Sequence, residues 1–283
     1  MNHPRVSARK DHALGALFGR RPVVIGVVHC RPLPGAPDYQ GEEIEAILDH
    51  AVEEARRYVR GGVHGLIVEN HGDIPFAKPD ALGPETAAMM AVVTDRVRRA
   101  AGVPVGVNVL ANGALQALAV AKAGGGSFVR VNQWANAYVA NEGFIEGPAA
   151  AAARYRAWLH AREVAVFADV HVKHGSHAIT ADRSLEETAR DAAFFDADVL
   201  IATGQRTGDA AQADEVRAIA EATGLPLLVG SGVTRDNVTS LLEVADGVIV
   251  ASSLKEEGVW WTPVSEAKVR AFMEVVDQAA GGA

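Results

Sequence analysis

Eight short runs rich in Val and Ile recur along the chain, and each is followed by a longer stretch rich in Ala, Glu and Arg. Short β-branched runs are typical of strands and longer stretches of this kind are typical of helices, so the alternation predicts βα units around a parallel sheet. Eight strands, each followed by a helix, is the number that closes a (β/α)8 barrel, the TIM barrel. A doubly wound open sheet normally has fewer strands and is the second choice.

The predicted strands lie near 23–28, 65–69, 105–109, 127–131, 164–170, 198–202, 227–230 and 247–251. The predicted helices lie near 42–60, 84–100, 112–123, 148–161, 184–195, 211–223, 235–243 and 264–278. The predicted N-terminal extension covers residues 1–21, in which we expect 11–18 to make a short helix, and the predicted barrel domain covers residues 22–283.

Composition limits the class of protein. The chain has 283 residues, 49% of them hydrophobic, which is sufficient for one large core. Its net charge is -8. Acidic charge without a basic cluster argues against nucleic acid as a partner. No stretch approaches the ~18 apolar residues of a membrane span, so we expect no integral membrane segment. The lone Cys30 and a polar N-terminus without a secretory segment predict a cytoplasmic protein.

Four predicted strands end abruptly at polar residues. They lead into His29, Glu69-Asn70, Arg130-Val131-Asn132 and Asp169. The C-terminal ends of barrel strands meet at one mouth, where active sites form, so this pattern predicts an enzyme-like site. The strand-to-helix loops 29–41, 70–83 and 132–147 are also long, which is typical of functional loops.

Asp169, His171 and Lys173 alternate, so they point to one side if the strand persists. A lysine held near a carboxylate suits stabilisation of an enolate, whereas a desolvated lysine suits a Schiff base. A structural ion pair between Lys173 and Asp169 is the third alternative. The predicted catalytic residues are Lys173, Asp169, His171, Glu69 and His29.

Binding residues are expected around the same mouth. Arg130 suits bidentate binding of a carboxylate or phosphate. The segment TGQRTG (203–208) either adds an anion contact through Arg206 or is only a flexible loop. The predicted substrate-binding residues are Asn70, Asn108, Arg130, Asn132, Thr203 and Gly204.

Small residues follow the seventh and eighth strands. Glycines that open into a helix let backbone N–H groups approach an anion, and these two loops form the usual phosphate cradle of barrel enzymes. The predicted phosphate-binding residues are Gly230, Ser231, Gly232, Ala251, Ser252 and Ser253. The alternative is that Thr234 caps the helix and the glycines only turn the chain.

A divalent metal is a further option. His29, Glu69, Asp169, His171 and His174 supply suitable ligand types from different strands. Since no local ligand spacing supports a metal site, we assign no metal ligand and leave the cofactor open.

Several long motifs in fixed order resemble the BtpA/SgcQ family over residues 22–275. They are VIGVVH (24–29), PLPG (32–35), IVEN (67–70), GDIPF (72–76), GVNVL (106–110), FVRVN (128–132), ADVHVKH (168–174), TG (203–204 and 207–208), GSGVT (230–234) and SSLKEEG (252–258). The resemblance implies a TIM barrel of the ribulose-phosphate-binding type. One family member is needed for photosystem I accumulation, and another belongs with genes of carbohydrate metabolism. This chain has Ala111-Asn112-Gly113 where the family usually has Arg-Asn-Asp.

Two functions are therefore expected. The first is an isomerase, epimerase or aldolase that acts on a small phosphorylated sugar or related metabolite. The second is a non-catalytic assembly or stability factor that keeps a ligand-binding barrel. The desolvation cost of so many converging polar residues favours the enzyme. We expect the partner to be a small phosphorylated metabolite and the protein to be a homo-oligomer.

Overall fold

The computed structural model describes residues 13–204 and 213–281. Its strands are β1 (Val23–His29), β2 (Gly65–Glu69), β3 (Val105–Asn108), β4 (Phe128–Val131), β5 (Ala137–Ala140), β6 (Gly143–Glu146), β7 (Ala165–Asp169), β8 (Gly175–Ser176), β9 (Val199–Ala202), β10 (Leu227–Val229) and β11 (Gly247–Val250). Eight of these strands form a closed parallel barrel in the order β1-β2-β3-β4-β7-β9-β10-β11. The predicted barrel is confirmed.

Among the described residues, one helix precedes the first barrel strand, and a helix follows each of the eight. They are α1 (Ala13–Phe18), α2 (Ile44–Arg60), α3 (Pro84–Ala101), α4 (Ala114–Gly124), α5 (Ala149–Trp158), α6 (Leu185–Phe194), α7 (Ala213–Ala222), α8 (Val238–Leu242) and α9 (Glu266–Gly281). Within the described ranges, none of the helices combines the length and the apolar character needed to cross a bilayer.

Two apolar layers hold the fold together. The outer layer lies between the strands and the surrounding helices, and the inner layer fills the barrel. The inner layer includes Ile25, Phe128 and Phe167, with the two phenyl rings stacked at 4.3 Å between centroids. Phe18 of α1 meets Phe128 edge to face at 5.9 Å, so the N-terminal helix closes the base of the barrel.

The period of two along each strand explains the polar mouth. Val23, Ile25 and Val27 belong to the inner layer, so the next inward position of β1 is His29. The parallel register then pairs His29 with Glu69, and Glu69 with Asn108. These three side chains therefore stand side by side at the top of the barrel.

The loop after β4 differs from the sequence prediction. Segment 132–147, predicted as a loop, contains the hairpin β5–β6, which joins β8 in a small antiparallel sheet. Its strands are only four residues long and partly exposed, so neither has the buried run that marks a barrel strand. Strand β7 ends at Asp169 rather than at residue 170. Residues 205–208 of the TGQRTG segment lie outside the described residues.

Candidate active site

A cavity of about 60 Å³ lies at the C-terminal mouth of the barrel. The polar side chains that line it are His29, Glu69, His71, Arg130, Lys173 and Ser252, and Trp260 borders it. Four of the five predicted catalytic residues lie in or beside this cavity. His29, Glu69 and Lys173 line it, and Asp169 lies beside it in contact with Arg130.

Arg130 and Asp169 form a buried bidentate pair. Arg130 Nε lies 3.2 Å from Asp169 Oδ1, and Arg130 Nη2 lies 3.1 Å from Asp169 Oδ2. Asn132 Nδ2 adds a third donor to Asp169 Oδ2 at 3.3 Å. Burial disfavours the guanidinium charge, but Asp169 and Glu69 outweigh that cost and raise the pKa of Arg130. Asp169 is therefore held by Arg130 and not by Lys173.

Lys173 lies in the same cavity without such a partner. Among the described residues, its ammonium forms neither a hydrogen bond nor an ion pair. Burial lowers the pKa of Lys173 to about 8, with a further decrease from the nearby Arg130 that Glu69 and Asp169 partly oppose. The structural ion pair with Asp169 is absent, so the enolate and Schiff-base alternatives remain for Lys173.

Two imidazoles face Glu69 on the β1–β2 side of the cavity. His71 Nδ1 lies 3.1 Å and His29 Nε2 3.6 Å from Glu69 Oε1. The other carboxylate oxygen accepts a hydrogen bond from Asn108 Nδ2 at 2.6 Å. Burial is the largest single influence and opposes the charge of Glu69, but the hydrogen bond with His71 and the charges of His71, His29 and Arg130 together outweigh it. They keep the pKa of this carboxyl below its ordinary value.

His29 is almost completely buried. Its Nδ1 lies 3.2 Å from the carbonyl oxygen of Trp260. Burial, reinforced by the neighbouring His71, lowers the pKa of His29 to about 3. His29 is therefore a neutral ring near pH 7.

His71 was absent from the sequence prediction. It follows Glu69 by two residues in the loop after β2, and its ring stacks on that of His29 at 4.5 Å between centroids. The Glu-x-His spacing was the only signal for it, and that spacing is common in loops. Proximity to His29, 42 positions earlier in the chain, arises only when β1 and β2 pair.

The structure does not bring His171 to the mouth cavity. Its ring packs on His177 at 3.8 Å between centroids and lines a separate cavity of about 320 Å³. The predicted one-sided arrangement of Asp169, His171 and Lys173 is wrong because β7 ends at Asp169, and the alternation of side chains ends with it. His174 is exposed and adopts a left-handed backbone conformation with φ of 64°.

Two predicted substrate-binding residues tie loops together. Asn70 accepts from Leu110 N at 2.7 Å and donates to Asp73 Oδ2 at 2.9 Å, which joins the loops after β2 and β3. Thr203 Oγ1 donates to the carbonyl oxygen of His171 at 2.9 Å and fixes the segment after β7. Gly204 is buried next to Thr203.

The loops after β10 and β11 meet beside the cavity. Ser253 Oγ donates to Val233 O at 2.7 Å, and both Gly230 and Ala251 line the cavity. Within the described chain, the amide N–H groups of Gly232, Val233, Ser252 and Ser253 make no hydrogen bond. Such uncommitted amides are the kind of donor that a phosphate group accepts from.

The turn after β10 is organised by Asn237. Its Nδ2 donates to Gly232 O and its Oδ1 accepts from Thr234 N, both at 2.8 Å. The alternative in which Thr234 caps the helix is wrong, because α8 begins at Val238 and Asn237 closes the turn. A Cβ atom at Gly230 would lie 2.7 Å from Ile201 Cγ2 and 3.3 Å from Arg130 Nη2, so the glycine is needed for close packing.

A loop from the last βα connection covers the cavity. Trp260 meets His71 edge to face at 4.6 Å between ring centroids. The base of this loop is fixed by Glu54 of α2, which accepts from Lys255 Nζ at 2.5 Å and from Val264 N at 2.9 Å. Both ends of the Trp260 loop are thus anchored to a buried carboxylate.

Comparison with known proteins places the chain among relatives that match almost its full length. The family model described as "BtpA family" matches residues 20–278. An uncharacterised protein from Archaeoglobus fulgidus is 41% identical over 83% of this chain and 92% of its own length. The photosystem I biogenesis protein BtpA of Synechocystis is 38% identical over 89% of this chain and 87% of its own length. An uncharacterised Caenorhabditis elegans protein whose name includes "mitochondrial" is 38% identical over 92% of this chain and 95% of its own length.

Solved structures share the fold at low sequence identity. Phosphoribosyl anthranilate isomerase from Thermus thermophilus aligns with a TM-score of 0.56 at 15% identity, covering 90% of this chain and 98% of that one. Thiamine phosphate pyrophosphorylase from Pyrococcus furiosus aligns with a TM-score of 0.55 at 16% identity, covering 91% of this chain and 96% of that one. These neighbours support the TIM-barrel assignment.

Proposed function

This chain belongs to the BtpA family, and from that premise we propose that it is an enzyme acting on a small phosphorylated sugar or a related metabolite. The observation that carries the proposal is Lys173. It is a mostly buried lysine at a barrel mouth with a pKa of about 8 and no ion-pair partner among the described residues. Strongly perturbed lysines in clefts are typical of catalytic sites.

The surrounding charges are arranged to act on a carbonyl compound. Arg130 is held in place by Asp169 and carries a permanent positive charge beside Lys173. This neighbour favours the neutral amine of Lys173, which is the nucleophilic form. Glu69, which lines the same cavity, is proposed to move protons.

Two reaction types fit Lys173. As a nucleophile, the neutral amine attacks a substrate carbonyl carbon, and the resulting carbinolamine loses water to form an iminium ion. The iminium withdraws the electron pair of an adjacent C–C or C–H bond, and water later releases the product and restores the amine. As an electrophile, the protonated lysine instead stabilises an enolate formed when a base removes the adjacent proton.

The phosphate group of the substrate is proposed to bind between the loops after β10 and β11. The uncommitted amides of Gly232 and Ser252 support this placement, and Arg130 lies within reach of Gly230 on the same side. A fixed phosphate would orient the carbonyl carbon toward Lys173 and reduce the entropic cost of reaction. The names of the solved neighbours, which contain phosphorylated compounds, agree with this substrate class.

Trapping with borohydride tests the imine form of the proposal. The full chain is incubated with a panel of sugar phosphates and reduced, and the mass is then measured. We expect one reduced adduct on Lys173, its loss in Lys173→Met, and its retention in Lys122→Met, which removes an exposed lysine that pairs with Glu163. If no panel member gives an adduct, exchange of substrate protons with deuterated solvent tests the enolate form. A protein that neither forms the reduced adduct nor exchanges substrate protons would contradict the proposal.

One observation favours the second candidate, a non-catalytic assembly factor. The Synechocystis relative carries the name of a photosystem I biogenesis protein. For this candidate, Lys173→Met would leave complementation of a strain lacking the family member unchanged. For the enzyme, the same variant would fail to complement although it folds.

We also propose a cytoplasmic location and a homo-oligomer. Large aromatic side chains are exposed on the described surface, including Trp158 at 73% and Phe194 at 77%. Phe194 meets the exposed Phe195 edge to face at 5.6 Å between ring centroids, and exposed aromatic clusters of this kind are typical of protein interfaces. Light scattering coupled to size-exclusion chromatography measures the number of chains, and a monomer at micromolar concentration would contradict the oligomer.

A further inference from the structure

The cluster of His29, Glu69 and His71 has the composition of a metal site. The potential ligand atoms of these three residues lie within 4.8 Å of one another. Ligands at about 2.0–2.1 Å from a tetrahedral metal stand roughly 3.3 Å apart. The distances of 3.1 and 3.6 Å from Glu69 Oε1 to the two imidazole nitrogens lie on either side of that value.

The hydrogen bond of His29 leaves its other ring nitrogen directed at this cluster. The carbonyl oxygen of Trp260 can only accept, so His29 Nδ1 is the donor in the contact at 3.2 Å. Nε2 is then the ring nitrogen that faces Glu69 Oε1, at 3.6 Å. That distance is too long for a direct hydrogen bond, and a cation between the two atoms would bind both.

The groups behind the cluster match those found behind metal ligands. Metal-binding histidines usually donate their second ring nitrogen to a backbone carbonyl, as His29 does to Trp260. Ligating carboxylates are usually hydrogen-bonded as well, and Asn108 holds Glu69 Oε2 at 2.6 Å. The orientation of His29 and Glu69 is therefore set before any ion enters.

We propose that His29 Nε2, Glu69 Oε1 and His71 Nδ1 bind one divalent transition-metal ion, with Zn²⁺ as the reference ion. Two imidazoles and one carboxylate are a ligand set that zinc accepts while keeping further positions open for water or substrate. The three ligands and Lys173 line the same cavity, so an open position of the ion would face it. His71 becomes a ligand from the loop after β2, and Trp260 orients His29 through its carbonyl oxygen.

The inference goes beyond the proposed function and is measured without any substrate. If a metal binds but no sugar phosphate reacts, the metal site stands and the enzymatic proposal fails. If the lysine adduct forms in metal-free protein that also binds no metal, the metal site fails and the enzymatic proposal stands. The two outcomes are therefore separable.

The experiment uses the full chain after removal of metals with a chelator. Titration with Zn²⁺ is followed by calorimetry, and Co²⁺ is added separately to record its visible absorption. We expect one ion per chain, intense Co²⁺ bands of a four- or five-coordinate site, and a melting temperature raised by Zn²⁺. Glu69→Gln and His71→Ala are expected to weaken Zn²⁺ binding at least 10-fold.

His160→Asn is the matched control, since it removes an exposed histidine and keeps a residue type that tolerates its φ of 51°. It should bind Zn²⁺ as the original chain does. Circular dichroism and the melting temperature of the metal-free variants show whether they fold. Glu69→Gln is nearly isosteric, so it keeps the test valid if His71→Ala unfolds. Absence of stoichiometric binding, or equal binding by Glu69→Gln, would overturn the proposal.

Discussion

Arg130 is buried and Lys173 is half-buried in the same cavity, and we predict opposite effects when each is replaced by methionine. Arg130→Met removes the partner of Asp169, whose side chain is fully buried. Only the Asn132 amide at 3.3 Å would remain as a donor to that carboxylate. Lys173→Met removes no ion pair, because Lys173 forms none among the described residues.

The magnitudes follow from burial. A buried carboxylate that loses its partner costs roughly 3–5 kcal/mol, which for a domain of this size lowers the melting temperature by about 6–20 °C. For Lys173, a pKa of about 8 in place of 10.5 corresponds to a penalty of roughly 3 kcal/mol for the charged form in the folded state. Replacing it should leave the free energy of unfolding unchanged or raise it by up to about 3 kcal/mol.

The sign also depends on pH. Because the folded-state pKa of Lys173 is depressed, its penalty is complete below about pH 8 and fades as pH rises toward 10.5. The gain from Lys173→Met should therefore be larger at pH 7 than at pH 10. Apolar replacement of both Arg130 and Asp169 should recover most of the loss seen in Arg130→Met.

Urea denaturation of the two variants, measured at pH 7 and at pH 10, tests these expectations. A loss of 3 kcal/mol or more in Lys173→Met at pH 7 would refute the reasoning, since it would show that Lys173 supports the fold as an ion-pair partner. Arg130→Met with unchanged stability would refute the assignment of Asp169 to Arg130.

Three further predictions concern the surroundings of the cavity. Glu54→Gln should destabilise the protein by roughly 3–5 kcal/mol by leaving Lys255 buried without its partner, and a double variant with apolar residues at both positions should melt above the single one. Gly230→Ala should cost roughly 1–3 kcal/mol because the added methyl group would lie 2.7 Å from a neighbouring side chain; an unchanged melting temperature would contradict this. Trp260→Ala should uncover the cavity and speed the reaction of Lys173 with an acylating reagent near pH 8, measured by peptide mass spectrometry, whereas an unchanged rate would show that the loop does not limit access.

The barrel and the position of its mouth can be predicted from the amino-acid sequence alone. Eight apolar runs of strand length alternate with helical stretches, and a barrel strand presents every second residue to the interior. His29, Glu69 and Arg130 each stand an even number of positions after an inward apolar residue of the same strand, so local periodicity is sufficient to direct them inward. The structure accordingly places all three around one cavity.

Only the tertiary structure decided which polar groups pair. The alternation of residues predicted that Asp169 and Lys173, four positions apart, point to the same side. In the folded chain Arg130 from the neighbouring strand contacts Asp169 instead. Folding also places His71, and not His171, beside Glu69. The reason is that β7 ends at Asp169 and the loop after β2 lies over the mouth. Strand periodicity is a local property of the backbone, but the partners of a loop residue depend on register and on competition among several chain segments, which one sequence does not encode position by position.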